Sequence, residues 1–316
     1  MNLFKKLTLP LAAVAIGLSG GIATLSTAQA AGILTVPEAD WTGGQVTCRV
    51  IETLLEDHMG YKIKRVNIPS GPAVWEGLRS GDFDFGCETW PSYNPIKSEY
   101  VTEYGGDGSV LKLGDSGIVG VSNYYVPRYL VEGADAKAPD LKSFTDLNKY
   151  VDLFKALETG DKGKILGCPV AAWACDDQAR LDALGVNFKA VELGSETAHW
   201  AEMQAAYKRG EPFVAYAWEP HWIHAALDMV PLTLPDYDEA KWPATGWATD
   251  VTFNNANPSM LTKHADAAKL ISKARLTNTQ QAGMILAIDV DGKDIDDVVR
   301  AWLDQNEAIW KPWLAD

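Results

Sequence analysis

Along this chain the apolar positions change period repeatedly, and the changes read as strand alternating with helix. Ile33-Leu34-Thr35-Val36 is a short apolar run, the signature of a strand. Val46, Val50, Ile51, Leu54 and Leu55 then recur at helical spacing within 43–59, which makes one apolar face of a helix. Tyr61 to Ile68 alternates apolar and polar residues, as a half-buried strand does. A short helix is predicted over 72–79, closed by Ser80-Gly81, and Asp82-Phe83-Asp84-Phe85 predicts the next strand. This order predicts an α/β lobe with a largely parallel sheet, whose ligands lie beyond the carboxyl ends of the strands.

The pattern then repeats. Strands are predicted at 118–121, leaving the first lobe, and at 124–127, entering a second. Helical segments follow at 143–147 and 151–157, then a strand at 164–166, a helix at 176–184 and a strand at 188–191. A helix over 197–209 and a strand over 213–218 complete the second lobe. Gly246-Trp247-Ala248-Thr249 leads back, and 258–316 is mostly helical. The expected division is residues 31–121 with 248–316 as lobe 1 and 122–247 as lobe 2, because about 290 residues exceed one compact core.

The first thirty residues read differently. Lys5 and Lys6 precede an apolar run from Leu7 to Leu25, and Ala28-Gln29-Ala30 is a small-residue cleavage site. That order predicts a secretory signal peptide cut after Ala30, and so an exported protein. The net charge of −14 argues against nucleic acid or anionic lipid as a partner. Export also changes how the four cysteines read, since an oxidising compartment favours disulfides. Cys168 and Cys175 are the natural local pair, leaving Cys48 with Cys87, although three connectivities remain open.

Enzyme motifs are weak. Gly114-Asp115-Ser116-Gly117 echoes a nucleophile motif, but no histidine lies in a matching context to activate Ser116. His221 and His224 stand three apart without an evident third ligand, so no metal site is expected. Asp289-Val290-Asp291-Gly292-Lys293-Asp294 has its glycine at the wrong position for a calcium loop. The chain is read as a non-enzyme without a cofactor.

What stands out instead is the placement of tryptophan. The chain has twelve, and three follow inferred strand ends: Trp90 in Glu88-Thr89-Trp90-Pro91, Trp173 in the loop between Cys168 and Cys175, and Trp218 before Glu219-Pro220. Indole faces attract a cation that has no hydrogen-bond donors, at about 0.5–2 kcal/mol per face. Trp302, Trp310 and Trp313 sit at helical spacings in the tail and are read as packing residues.

At these residues the chain resembles the periplasmic substrate-binding proteins of ABC transporters for glycine betaine and related methylated amines. The likeness rests on Gly-Asp-Phe-Asp with Glu-Thr-Trp-Pro (81–91), Gly-Cys-Pro-x-x-x-Trp-x-Cys (167–175) and Tyr-x-Trp-x-Pro-x-Trp (216–222). It implies a two-lobed α/β clamshell of the type II, Venus-flytrap kind, with two hinge crossovers near 119–124 and 244–250. It also implies an aromatic box of Trp90, Trp173 and Trp218, to which Trp41 after the first strand adds a fourth wall, with Trp222 beside it. The resemblance gives the ligand carboxylate to the backbone N–H groups of Ala174 and Cys175. Where such proteins can place a histidine this chain has Asn94, and Glu88 adds a negative group, so trimethylamine N-oxide and choline compete with glycine betaine as the ligand. The implied partner is a membrane permease and the implied state a monomer. A secreted α/β hydrolase and an amino-acid receptor of the same fold are the alternatives.

Overall fold

The computed structural model describes residues 31–315, so the expected signal peptide lies outside the described residues. The chain opens with β1 (Gly32–Glu38), α1 (Thr42–Met59), β2 (Tyr61–Asn67), α2 (Pro72–Ser80) and β3 (Phe85–Thr89). After the short α3 (Lys97–Tyr100) comes a long strand, β4 (Leu111–Pro127), followed by α4 (Arg128–Val131). Then follow β5 (Gly163–Leu166), α5 (Asp177–Ala183), β6 (Phe188–Val191), α6 (Glu196–Lys208), β7 (Ala215–Glu219), α7 (Ile223–Ala226) and β8 (Met229–Pro231). The return strand β9 (Asp250–Ala256) leads into α8 (Met260–Lys263), α9 (Ala265–Lys273), α10 (Asn278–Asp289), α11 (Ile295–Gln305) and α12 (Glu307–Leu314).

Local chemistry sets the ends of these elements. Helix α1 stops where Gly60 takes a left-handed conformation and returns its N–H to Leu55. Helix α2 starts on Pro72 and ends at left-handed Gly81. The predicted apolar face of α1 is buried, with Val46, Leu54 and Leu55 fully covered. Replacing Leu54 by alanine is expected to cost about 2–5 kcal/mol, read as a lower denaturation midpoint in urea at unchanged slope.

Strands β1 and β2 pair in parallel, Leu34 opposite Ile63. The other seven strands form one mixed sheet in the order β3-β9-β4-β7-β5-β6, with β8 also on β4. Here the structure corrects the expectation of a largely parallel first lobe: β3, β9 and β4 run antiparallel. The reason is topological, since β9 re-enters from the second half and inserts between β3 and β4. The two strands expected at 118–121 and 124–127 are one continuous strand whose partner changes midway. Gly120 pairs with Asp250 of β9, whereas Val121 pairs with Glu219 of β7. The first half is thus β1–β3, β9 and the C-terminal helices, and the second half is β5–β8 with α4–α7.

Two further shifts have local causes. The strand expected at 82–85 lies at 85–89, because Asp84 is held against β1 by bonds to both the N–H and the carbonyl of Thr35. The two helical segments expected at 143–147 and 151–157 are found as 3-10 helix over Phe144–Phe154, broken at Tyr150, and the second ends at Phe154 rather than 157. Both disulfides pair as preferred, Cys48 with Cys87 and Cys168 with Cys175. Trp310 and Trp313 are buried in the C-terminal helices.

A Trp-walled cavity between the two halves

Five tryptophans line one cavity between the halves: Trp75 stands with its indole on Asn94, and the other four are its walls. Trp41 and Trp90 come from the first half, Trp173 and Trp218 from the second. Trp41 meets Trp173 at 6.0 Å between ring centroids and 76° between planes. Trp173 meets Trp218 at 5.4 Å and again 76°. Successive near-perpendicular indoles are the walls of a box, open to a compact cation on their π faces. The seats of the two first-half walls are glycines. A side chain at Gly120 would overlap the Trp90 ring, and one at Gly44 would overlap Trp41, so both rings lie directly on backbone. Trp218 sits within β7 rather than beyond its end, and Trp173 closes a 3-10 turn, Ala171–Trp173.

Glu88 lines the same cavity. The β3/β9 register slips between Gly86 and Thr89, and Glu88 takes φ 53 there, a conformation that few non-glycine residues adopt. Such a bulge re-aims a side chain, and here it sends the carboxylate inward, where the residue is 1% exposed. Thr47 and Gln281 donate to Oε2. The Trp90 indole N–H donates to Oε1 at 3.1 Å. Glu88 therefore fastens the Trp90 wall by its edge. Burial pushes its pKa up from 4.5 to about 7, against the opposing pull of those donors.

The carboxylate-binding half of the expected site is arranged differently. Ala174 and Cys175 do not line the cavity. The N–H of Ala174 is spent on the carbonyl of Ala171 at 3.3 Å, and Cys175 is buried and disulfide-bonded, its carbonyl taking Arg180. Asn94 does line the cavity, but its Oδ1 accepts from the Trp75 indole at 2.7 Å and its Nδ2 donates to the Trp90 carbonyl at 2.9 Å. Trp222 lies outside the lining, its indole N–H donating to Asp289 at 2.8 Å. Among the described residues lining the cavity, the charged ones are Glu38 and Glu88, and none is Lys, Arg or His. Glu38 is paired with Arg49 at 3.2 Å.

Some participants carried no signal in the chain. Thr47 and Gln281 reach Glu88 from 41 and 193 residues away. Tyr93 and Tyr216 line the cavity from opposite halves and join their hydroxyls at 2.7 Å. Tyr216 opens the motif at 216–222, and Tyr93 stands two residues beyond the motif that ends at Pro91. The nucleophile echo is inert: Ser116 is buried and bonded to Thr252.

Two α/β halves meeting over an aromatic box are the architecture of a protein that captures a small molecule between them. The chain belongs to the family of substrate-binding domains of ABC-type glycine betaine transport systems, whose model matches residues 33–305. It is similar to a trimethylamine N-oxide-binding protein of Pelagibacter ubique, 27% identical over 89% of this chain and 90% of that one. In fold it is similar to lactococcal OpuAC in its closed form with glycine betaine, at TM-score 0.70 and 18% identity over 90% and 100% of the two chains. It also resembles a choline-binding protein solved with choline, at TM-score 0.71 and 23% identity over 89% and 91%.

Proposed function

We propose that this protein is exported with cleavage after Ala30, acts in the periplasm as a monomer, and captures trimethylamine N-oxide for an ABC permease. The observation that carries the ligand is the pairing of four indole walls with one buried acid and, among the described lining residues, no cation. The walls suit a trimethylammonium group, at about 0.5–2 kcal/mol per face. A carboxylate such as that of glycine betaine meets no fixed positive partner here, and beside an ionised Glu88 it meets a like charge. An N-oxide oxygen asks instead for one donated proton, and a carboxyl group with a pKa of about 7 can supply it. Choline is the second reading, favoured by the same carboxyl in its ionised form, which would accept the hydroxyl proton.

Closure over the ligand would bend the chain at the two crossovers, near 119–124 and 244–250. In support, β4 changes partner between Gly120 and Val121, and β9 begins at Asp250. Calorimetric titration of the mature protein with trimethylamine N-oxide, choline, glycine betaine and dimethylsulfoniopropionate, against a proline control, tests the assignment. The N-oxide is expected to bind tightest and glycine betaine at least about tenfold more weakly, or 1.4 kcal/mol. A preference for glycine betaine overturns the ligand assignment, and silence across the panel overturns the onium reading.

A further inference from the structure

Helix α1 lacks a cap of its own. Its N-cap residue is Trp41, which makes no side-chain capping bond, and no acid stands in its first turn. The first N–H groups of a helix need an acceptor, and here one comes from the other half of the molecule. Glu196, the first residue of α6, accepts from the N–H of Thr42 at 2.8 Å through Oε2. Its Oε1 is held by the Trp200 indole at 3.1 Å. Beside it a second bond crosses the cleft, from the Trp222 indole N–H to Asp289 Oδ2 at 2.8 Å. Asp289 Oδ1 in turn accepts from the Thr42 hydroxyl at 2.8 Å, so the two crossings share Thr42.

His221, buried, aims Nε2 between the carboxylates, 3.3 Å from Glu196 and 3.8 Å from Asp289. The grouping has the spacing of a metal site, with the three ligand atoms within 4.8 Å of one another, but the tautomer opposes one. The N–H of Ile223 points at His221 Nδ1 at 3.3 Å, which makes Nδ1 the acceptor and leaves the proton on Nε2, with no lone pair there for a cation. His221 Nε2 makes no hydrogen bond itself, and its proton faces the two carboxylates as an electrostatic complement to the bonds that cross the cleft.

We infer that Glu196 and Asp289, with Thr42 and Trp222, form the clasp that holds the closed state, and that Glu196 is a positioning residue for the cavity. It caps α1 in trans, one residue from the Trp41 wall, only while the halves are together. Opening the cleft leaves the Thr42 N–H and the Asp289 carboxylate without their partners across it, so the clasp sets how long a ligand stays and not how fast it arrives. The inference rests on the reading that the halves close over an onium ligand.

Stopped-flow tryptophan fluorescence with trimethylamine N-oxide and with choline tests it, on the wild type, Glu196→Gln and Trp222→Phe. The second variant keeps the packed ring and drops only the N–H, which guards against a folding defect in the first. Expected are a koff raised about tenfold in Glu196→Gln, the scale of a lost helix cap, and raised severalfold in Trp222→Phe. The factor should be the same for both ligands, with kon within about twofold and the thermal midpoint of the unliganded protein unchanged. Wild-type koff in both variants overturns the clasp, as does a change confined to one ligand, which would mean direct contact with it. A wild type that binds neither probe overturns the reading of the cavity and the clasp with it.

Discussion

Trp173→Ala is expected to weaken binding of the onium ligand by at least about a hundredfold, near 2.7 kcal/mol, while moving the thermal midpoint little. Two independent losses make up the effect. The ring is the shared wall of the box, edge to face with both Trp41 and Trp218, so its removal takes one cation–π face and opens the other two to water. Desolvation is what raises such a contact toward about 2 kcal/mol. The Trp173 indole N–H also crosses the cleft to Asp40 at 3.2 Å, and that tie goes as well. Stability should change little because the ring is only half-buried and packs at the edge of the core. Trp218 makes a useful contrast: it is 4% exposed and packs on Trp200 and Tyr216, so its alanine variant is expected to lose both affinity and several kcal/mol of stability. Calorimetry and a thermal melt on the two variants separate the cases. A large fall in the Trp173→Ala midpoint with affinity retained would make the residue a core member and remove it from the ligand site.

The elements of this fold that are local in sequence are those that periodicity identifies. Helix α1 and strand β2 show their burial in spacing alone, and the glycines after α1 and α2 mark where each ends. What crosses between the halves leaves no such trace. Strand β4 reads as two pieces because its first half is paired with a strand some 135 residues later, and its second half with another roughly 95 residues later. The walls Trp90 and Trp173 are legible because each follows a strand, where ligands of such sheets gather. Their supports are not, since Thr47 and Gln281 meet Glu88 only through the packing of α1 against α10. The family likeness carried Ala174 and Cys175 toward the ligand, but a 3-10 turn had already used the first N–H. Trp222 shares a motif with Trp218, yet lies beyond Pro220 and turns to Asp289 instead of the cavity.

The pH dependence of affinity should have opposite signs for the two proposed ligands, trimethylamine N-oxide and choline. Glu88 is held near pKa 7 by burial, so the empty site is mainly protonated at pH 6 and mainly ionised at pH 9. A complex with trimethylamine N-oxide contains one shared proton, whether it is drawn on the carboxyl or on the oxide. Above pH 7 that proton must be taken from solvent, and affinity falls about tenfold per unit, close to a hundredfold between pH 6 and 9. Choline brings a full cation and its own hydroxyl proton, so it prefers the carboxylate and should gain about tenfold over the same range. Glycine betaine, itself a carboxylate, should follow the N-oxide. The same titration affects the unliganded fold. Because the folded pKa lies above the free value of 4.5, the stabilisation is complete below pH 4.5 and about 3 kcal/mol is lost as pH rises through 7. Other groups titrate nearby: burial also raises Asp250 to about 6 and shifts Asp289 upward. Glu88→Gln keeps those groups and removes the carboxyl, so it should flatten both ligand profiles and leave only their residual slope. Calorimetry in two buffers of different ionisation heat reads the proton directly, with uptake expected for the N-oxide at pH 8 and release for choline at pH 6. Parallel profiles for the two ligands, or a Glu88→Gln variant that keeps the wild-type slopes, would take the polar role away from Glu88 and leave recognition to the four indoles alone.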